Sequence, residues 1–494
     1  MSLLQVPAAT GSERPPTLAA TRRMAVLDEL RVPYRLIDAP GSGGQWDSLS
    51  TGDPRRALYW YTGRAGVVAP GWQLGSLPIW GCVAPDAAAA RFAASLPGEW
   101  APEVPVVDLS GAARTWAWRS SDGATLFPFD PDELVTNLRS ERYLSLQRSR
   151  GRSPTASARR VYYACRPLLP RSVQIELRRA FSRMQARTAF PRWPAEPALH
   201  DLVELVLGRV ADVAGAPVPY IGSWPRGRSW ALVLTHDVET AAGRDAIEAV
   251  RAVEQAAGYR SAWNLVPERY EVPDALVEHL KAVGCEVGVH GLRHDGRDLE
   301  SLGTPNSRLP EMRRWALRWQ AEGFRSPATL RHWDWMPKLG FGYDSSYPDT
   351  DPFEPMAGGC CSWLPFFNRE TVELPITLPQ DHTVFVILRR DESVWRQKAE
   401  LLRARGGMAL VIVHPDYMTR DGRLDAYRRF LEAFRDDATA WKALPREVAA
   451  WWRRRAATSL HHGDGQWYAA GPAEREAAVA FAEPIEPSAR GPWA

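Results

Sequence analysis

The chain has 494 residues, 45% hydrophobic and 24% charged, the composition of a folded protein with a substantial core. That length predicts two to three domains. A formal net charge of +3 gives no electrostatic case for nucleic acid as a partner, and the basic residues are almost all Arg, with Lys only at 281, 338, 398 and 442, which reads as coding bias before function.

Residues 1–20 are rich in Pro, Ala, Thr and Ser and read as disordered. They lack the charged start and apolar run of a signal peptide, and no later apolar stretch approaches the roughly 20 residues that span a bilayer. A cytoplasmic chain is the expectation. From 21 to 150, short apolar runs at 66–69 and 104–107 alternate with helix-like stretches at 21–30 and 87–94, suggesting a small α/β domain. It contains no His, the first being His200, and no chemistry can be assigned to it.

The stretch 151–228 reads as an Arg-rich helical connector. Within it Val173, Leu177, Phe181 and Met184 recur at helical spacing, with Arg178, Arg179, Arg183 and Arg187 on the remaining surface. Such a helix can make peripheral contact with an anionic membrane, or pack its apolar stripe on its own domain. The five Cys, at 82, 165, 285, 360 and 361, form no disulfide framework. The adjacent Cys360 and Cys361 read as small loop residues, since no second pair complements them as metal ligands.

From 229 to 455 the pattern becomes strand then helix, repeated. Expected strands cover 231–235, 261–266, 286–290, 323–325, 342–345, 372–376 and 409–413, with helices at 245–256, 273–283, 310–321 and 392–405. Alternation of this kind implies parallel pairing, and about seven repeats are enough to close a (β/α) barrel. The tail, 456–494, is a polar, turn-rich appendage with short strands expected at 466–468 and 477–481.

The chemistry gathers at the ends of these strands. Side chains alternate faces along a strand, so Leu232, Leu234, His236 and Val238 share one face and Val233, Thr235, Asp237 and Glu239 the other. The apolar face should meet helices, which makes His236 structural. Asp237 and Glu239 then point inward at the C-terminal end, where barrel active sites are built. His290 and His294, four apart, would be roughly 13 Å apart on a strand but neighbours on a helical turn, where both can face one ion. With a carboxylate from an earlier strand they form a plausible divalent-metal site with open positions, suited to zinc, with cobalt, nickel or iron as alternatives. Arg325 follows another strand and can hold a carboxylate ionised. His414 ends a buried apolar strand and is placed to act as a general acid.

These motifs, taken in order, resemble the catalytic domain of the polysaccharide deacetylase family (carbohydrate esterase family 4, the NodB-homology domain). The likeness covers about 229–455. It implies a distorted (β/α) barrel, a zinc-type divalent cofactor, and an N-acetylated sugar substrate that loses its acetyl group. It places Asp237 as catalytic base, Glu239, His290 and His294 as metal ligands, and Arg325 as the support of Asp237. It also places backbone donors around Ala328 at the oxyanion and His414 as the acid. There are three departures from the family pattern: Glu239 where Asp is usual, Gly291 where Ser or Thr is usual, and the pair Ser326 and Ala328 around Pro327. Asp344, in a segment like the family's fourth motif, either tunes His414 or caps a turn. The competing readings are a catalytically silent carbohydrate-binding barrel and a hydrolase of another non-peptide C–N bond.

Overall fold

The computed structural model describes residues 24–148, 179, 189–299 and 303–485, apart from 40, 42, 54 and 55. Strands β1 (Arg35–Ile37), β2 (Trp46–Ser50), β3 (Leu58–Tyr61), β4 (Val67–Leu74), β5 (Leu77–Val83), β6 (Trp100–Val107), β7 (Ala113–Ser120) and β8 (Thr125–Phe127) form one sheet in the order β1-β2-β3-β8-β7-β6-β4-β5. Only β3 and β8 pair in parallel; every other neighbour is antiparallel.

Both faces of this sheet are covered. Along β3, Leu58 and Trp60 pack into the cluster that takes in the helices Pro131–Arg139 and Ala198–Ala214. Tyr59 and Tyr61 point the other way, to Phe92 of the helix Asp86–Ser95, on which Trp46 stacks at 4.4 Å. The helix Ala198–Ala214 docks here because Leu199, Leu202, Val206, Val210 and Val213 line one side of it. Each such side chain contributes roughly 1.5–3 kcal/mol of burial free energy.

After β9 (Val218–Ile221), the second sheet takes β10 (Trp230–Val238), β11 (Ser261–Leu265), β12 (Glu286–Val289), β13 (Gly323–Phe324), β14 (Tyr343–Asp344), β15 (Phe366–Asn368), β16 (Thr371–Glu373), β17 (Met408–Val413) and β18 (Ala440–Lys442). Its order is β15-β16-β14-β13-β12-β11-β10-β17, with β18 also on β10 and all pairs parallel except β15–β16. Each strand expected in this region is present with shifted ends. The helix expected at 245–256 breaks at Ala246 into Ala241–Asp245 and Ile247–Ala256, and the one expected at 310–321 starts earlier, at Gly303. The segment after β16 reaches β17 through Leu378 N–H to Leu410 O (3.0 Å) and Leu410 N–H to Thr377 Oγ1 (2.8 Å), outside any regular ladder.

Alternation sorts the residues of this sheet. Leu232, Leu234, Trp263, Val287, Val289, Val411 and Val413 pack outward against Val250, Leu280, Trp395 and Phe430 of the surrounding helices. Ala231, Val233, Val372, Leu410 and Ile412 pack inward, over Val448, Trp451 and Trp452 of the helix Pro445–Ala456. The inner face is therefore apolar at the N-terminal ends of the strands and turns polar towards their C-terminal ends.

Past β19 (Ser459–Gly463) and β20 (Gln466–Ala470), an antiparallel pair, β21 (Val479–Ala482) returns to pair with β9. Among the described residues no helix is long and apolar enough to cross a membrane. The basic stretch 173–187 lies outside the described residues except for Arg179, whose guanidinium donates to Val386 O at 2.7 Å; residues 1–20 lie outside them too. Cys360 and Cys361 are buried and unbridged, Cys361 within the core of the first sheet.

Candidate active site

All nine residues of β10 are buried. His236 lies on the outer face, its ring stacked on Trp263 at 3.9 Å and its Nε2 2.7 Å from Glu254 Oε1. Glu254 also accepts from Ser261 Oγ and Tyr427 OH, each at 2.6 Å, so His236 is a core side chain anchored through Nε2, as alternation implied, while its buried Nδ1 has no hydrogen-bond partner among the described residues.

Asp237 points inward. Its Oδ1 accepts from Asn264 Nδ2 at 2.9 Å and from Arg325 Nη1 at 3.3 Å. Arg325 is itself fixed by Thr235 Oγ1 (2.9 Å), Ser345 O (2.7 Å) and Ser345 Oγ (2.7 Å). Burial opposes the charge on Asp237, but the guanidinium, with His290 and His414 close by, outweighs it and holds the carboxyl below its ordinary range. Asn264 was not anticipated. The register pairs it directly with Asp237, and a polar residue near the end of an apolar strand is the signal that could have found it.

The two histidines of the second motif leave β12 differently from expectation. The turn is not helical: Gly291 (φ +64) and His294 (φ +52) bend an irregular loop that brings the two rings to 5.1 Å between centroids. Gly291 has a steric reason. A Cβ there would sit 2.3 Å from Asp298 Oδ2 and 2.7 Å from Pro327 Cγ, so no Ser or Thr fits. Asp298 supports the loop instead, accepting from Leu292 N–H at 3.3 Å.

Three imidazoles converge on one carboxylate oxygen. Glu239 Oε1 lies 2.7 Å from His294 Nε2, 3.6 Å from His414 Nε2 and 3.9 Å from His290 Nε2. Burial again opposes ionisation, and the three surrounding imidazoles, with His294 in hydrogen-bond contact, reverse it and hold Glu239 well below the usual carboxylate range. His290 Nδ1 faces Arg325 O at 3.0 Å, and a carbonyl only accepts, so the proton sits on Nδ1 and Nε2 presents a lone pair. That Nε2 is buried without a hydrogen-bond partner. One ligand atom each from Glu239, His290 and His294 lie within 4.8 Å of one another. An orphaned lone pair beside a second imidazole and a carboxylate fits a divalent cation. His294 fits less simply: Arg269 Nη1 donates to its Nδ1, which favours the tautomer that donates from Nε2 to Glu239.

His414 lies on the far side of Glu239. Its Nδ1 is 2.6 Å from Asp381 Oδ1, and its backbone N–H donates to Asp381 Oδ2 at 2.8 Å. Burial disfavours the imidazolium, but Asp381 and Glu239 raise its pKa well above the ordinary value. Asp344 does not tune His414. Its Oδ1 accepts from Ser346 Oγ at 2.6 Å, and it is paired with the buried Glu373. Burial lifts Asp344 to about 6; burial and then Asp344 itself lift Glu373 well above its usual range. Asp381 caps the π-helix His382–Ile387, accepting from His382 N–H at 2.7 Å, and that irregular helix has no local sequence signal that pointed to it.

No family model matches the chain, and no curated protein matches it. Solved structures do. A putative polysaccharide deacetylase from Mycobacterium smegmatis is similar at 18% identity and a TM-score of 0.39, covering 47% of this chain and 93% of that one. Puue Allantoinase follows at 15% and 0.39, over 47% and 92%. A probable polysaccharide deacetylase from Pseudomonas aeruginosa PAO1 stands at 14% and 0.37, over 46% and 92%. At such identity and overlap these likenesses carry no argument about chemistry. The side chains must.

Proposed function

We propose that the C-terminal ends of β10, β12, β13 and β17 form the active site of a metal-dependent hydrolase that removes an N-acetyl group from an amino sugar, on a distorted (β/α) barrel. The observation that carries this reading is the partition of roles around Glu239. A metal-type donor set lies on one side, a carboxylate held by Arg325 and Asn264 on another, and an Asp-supported imidazole on a third.

Glu239, His290 and His294 would hold the ion, with zinc the best match to two imidazoles and a carboxylate. When bound, such an ion polarises the amide carbonyl and acidifies a water. Asp237 takes the proton of the attacking water. Its Oδ1 is committed to Asn264 and Arg325, and its Oδ2 faces His290 Nε2 at 3.9 Å. Arg325 keeps it ionised and oriented. Ala328 is left-handed at φ +55, and its N–H, which donates to no described residue, is the donor for the developing oxyanion. His414, kept protonated by Asp381, delivers its proton to the departing amine. The C–N bond breaks, and acetate and the free amino sugar leave.

The test is acetate release from N-acetylated amino sugars by the metal-loaded protein. Asp237→Asn should cut the rate by roughly 10²–10⁴, the span of general-base catalysis, with metal still bound. Equal rates in the two proteins would refute the assignment. Release of product only from cyclic amides would move the activity to another non-peptide C–N bond.

A further inference from the structure

The loop that presents Ala328 is held from outside its own sheet. Ala328 and Thr329 are both left-handed, at φ +55 and +50, a conformation that L side chains adopt only when their surroundings enforce it. The enforcing group is Arg331. Its Nη1 donates to Thr329 O at 3.0 Å and its Nη2 to Met356 O at 3.2 Å. Two further N–H groups donate to Glu141, which follows the helix Pro131–Arg139 in the first-sheet region: Nε to Oε2 at 2.7 Å and Nη2 to Oε1 at 2.5 Å. Both side chains are buried, so the pair forgoes hydration at both ends and persists only with this full set of partners.

The same stretch of chain also holds the next loop, between β14 and β15. Tyr143 OH donates to Gly359 O at 2.8 Å and accepts from Gly359 N–H at 3.0 Å. Gly358 must be glycine for this approach, since a Cβ would lie 2.7 Å from Glu141 Oε1. Arg331 also lies over the Tyr347 ring at 5.5 Å, next to Ser346, whose Oγ accepts from Ser326 N–H at 2.9 Å.

We propose that Glu141 is a positioning residue of the site: through Arg331 it fixes the loop conformation that aims the Ala328 N–H, which gives the histidine-free N-terminal sheet a role in the reaction. The inference rests on the deacetylase reading for its kinetic part, and on geometry alone for the clamp.

The experiment uses the full-length, metal-loaded protein. In Glu141→Leu/Arg331→Met, which removes both charges together, kcat for acetate release should fall 10- to 100-fold with KM changed less than threefold. Metal affinity should stay within threefold, and amide hydrogen exchange over residues 327–335 should quicken at least tenfold. Glu141→Asp, which keeps the charge on a shorter arm, should recover part of kcat, and it carries the test if the double variant does not fold. Unchanged exchange over 327–335 in a folded variant overturns the clamp. An unchanged kcat alongside faster exchange overturns the positioning role. If the wild-type protein releases no acetate, the deacetylase reading fails by itself, and exchange still decides the clamp.

Discussion

Both sheets of this molecule bury aromatic cores, yet only the second gathers a cluster of histidines and carboxylates. In the first, every neighbouring pair but β3–β8 runs antiparallel, so most successive strand ends alternate between opposite edges. Apart from Glu141, its buried polar groups, among them Asn137 and Arg209, are accordingly scattered and serve local needs. Asn137 donates to Trp80 O, and Arg209 bridges Asp212 and Glu103. In the second, seven pairs run parallel, and every strand but β15 delivers its last inward residue to the same end. Asp237, Glu239, His290, Arg325 and His414 meet there because the topology leaves them nowhere else to go. A parallel sheet is a device for concentrating polar side chains that the sequence supplies far apart.

The contrast breaks most decisively at its extremes. His290→Ala should weaken metal binding by two orders of magnitude or more and abolish acetate release, since it removes the one donor already free to ligate. Arg209→Met, equally buried, should cost about 1.5–3 kcal/mol of stability by removing the hydrogen bonds to Asp212, which keeps Arg119 at 3.1 Å, and to Glu103, while leaving metal affinity as it is. Metal titration by calorimetry and urea unfolding of both variants read this out. Should Arg209→Met change the affinity, the separation between the sheets is not what it looks like.

Asp381→Asn comes next. Asp381 stabilises the imidazolium of His414, so losing it lowers that pKa and leaves less acid at neutral pH. The expected result is a 10- to 100-fold fall in kcat, with the alkaline limb of the pH–rate profile moved to lower pH. An unmoved limb would assign that limb to another group.

Much of the second region was legible because period-two alternation and strand–helix rhythm are local signals. Alternation alone separated His236 from Asp237, and spacing paired His290 with His294. The irregular parts were not legible. The His290–His294 turn depends on Asp298 and Pro327, which approach Gly291 only in the fold. Asp381 reaches His414 across 33 positions from the cap of a π-helix, whose period the sequence does not display. The Arg331–Glu141 contact spans 190 positions, a distance over which neither sequence carries a mark of the other.

Glu373→Gln sharpens the comparison from inside the second sheet, below the reacting groups. Glu373 and Asp344 share a buried site in which both carboxyls are raised, Asp344 to about 6. A folded-state pKa above the unfolded value means that the fold binds the proton more tightly than the unfolded chain. Stability is then full below the unfolded carboxylate range, near 4, and is lost as pH rises through 6 and beyond. Gln can accept from Ser346 and Tyr347 N–H as Glu373 does and can donate to Asp344 without a titrating proton. The urea midpoint of the variant should therefore fall less between pH 5 and pH 8 than that of the wild type. Parallel pH dependences in the two proteins would locate the proton elsewhere.

The smallest effect expected is at Arg269, where the sheet's own loops oppose the site they build. A guanidinium has five N–H donors and no acceptor, so while it faces His294 Nδ1 the ring keeps its proton on Nε2. To ligate through Nε2, His294 must move that proton to Nδ1 and Arg269 must withdraw, and both steps subtract from metal affinity. Arg269→Gln offers a side-chain carbonyl that can accept from Nδ1–H, the arrangement usual behind a metal-bound imidazole. Metal affinity measured by competition with a chelator should rise by roughly three- to tenfold, converging on the value for a second variant, Arg269→Ala, if release of the guanidinium is what matters, or exceeding it if the new acceptor contributes. A fall in affinity in both variants would show that Arg269 supports His294 in its ligating position.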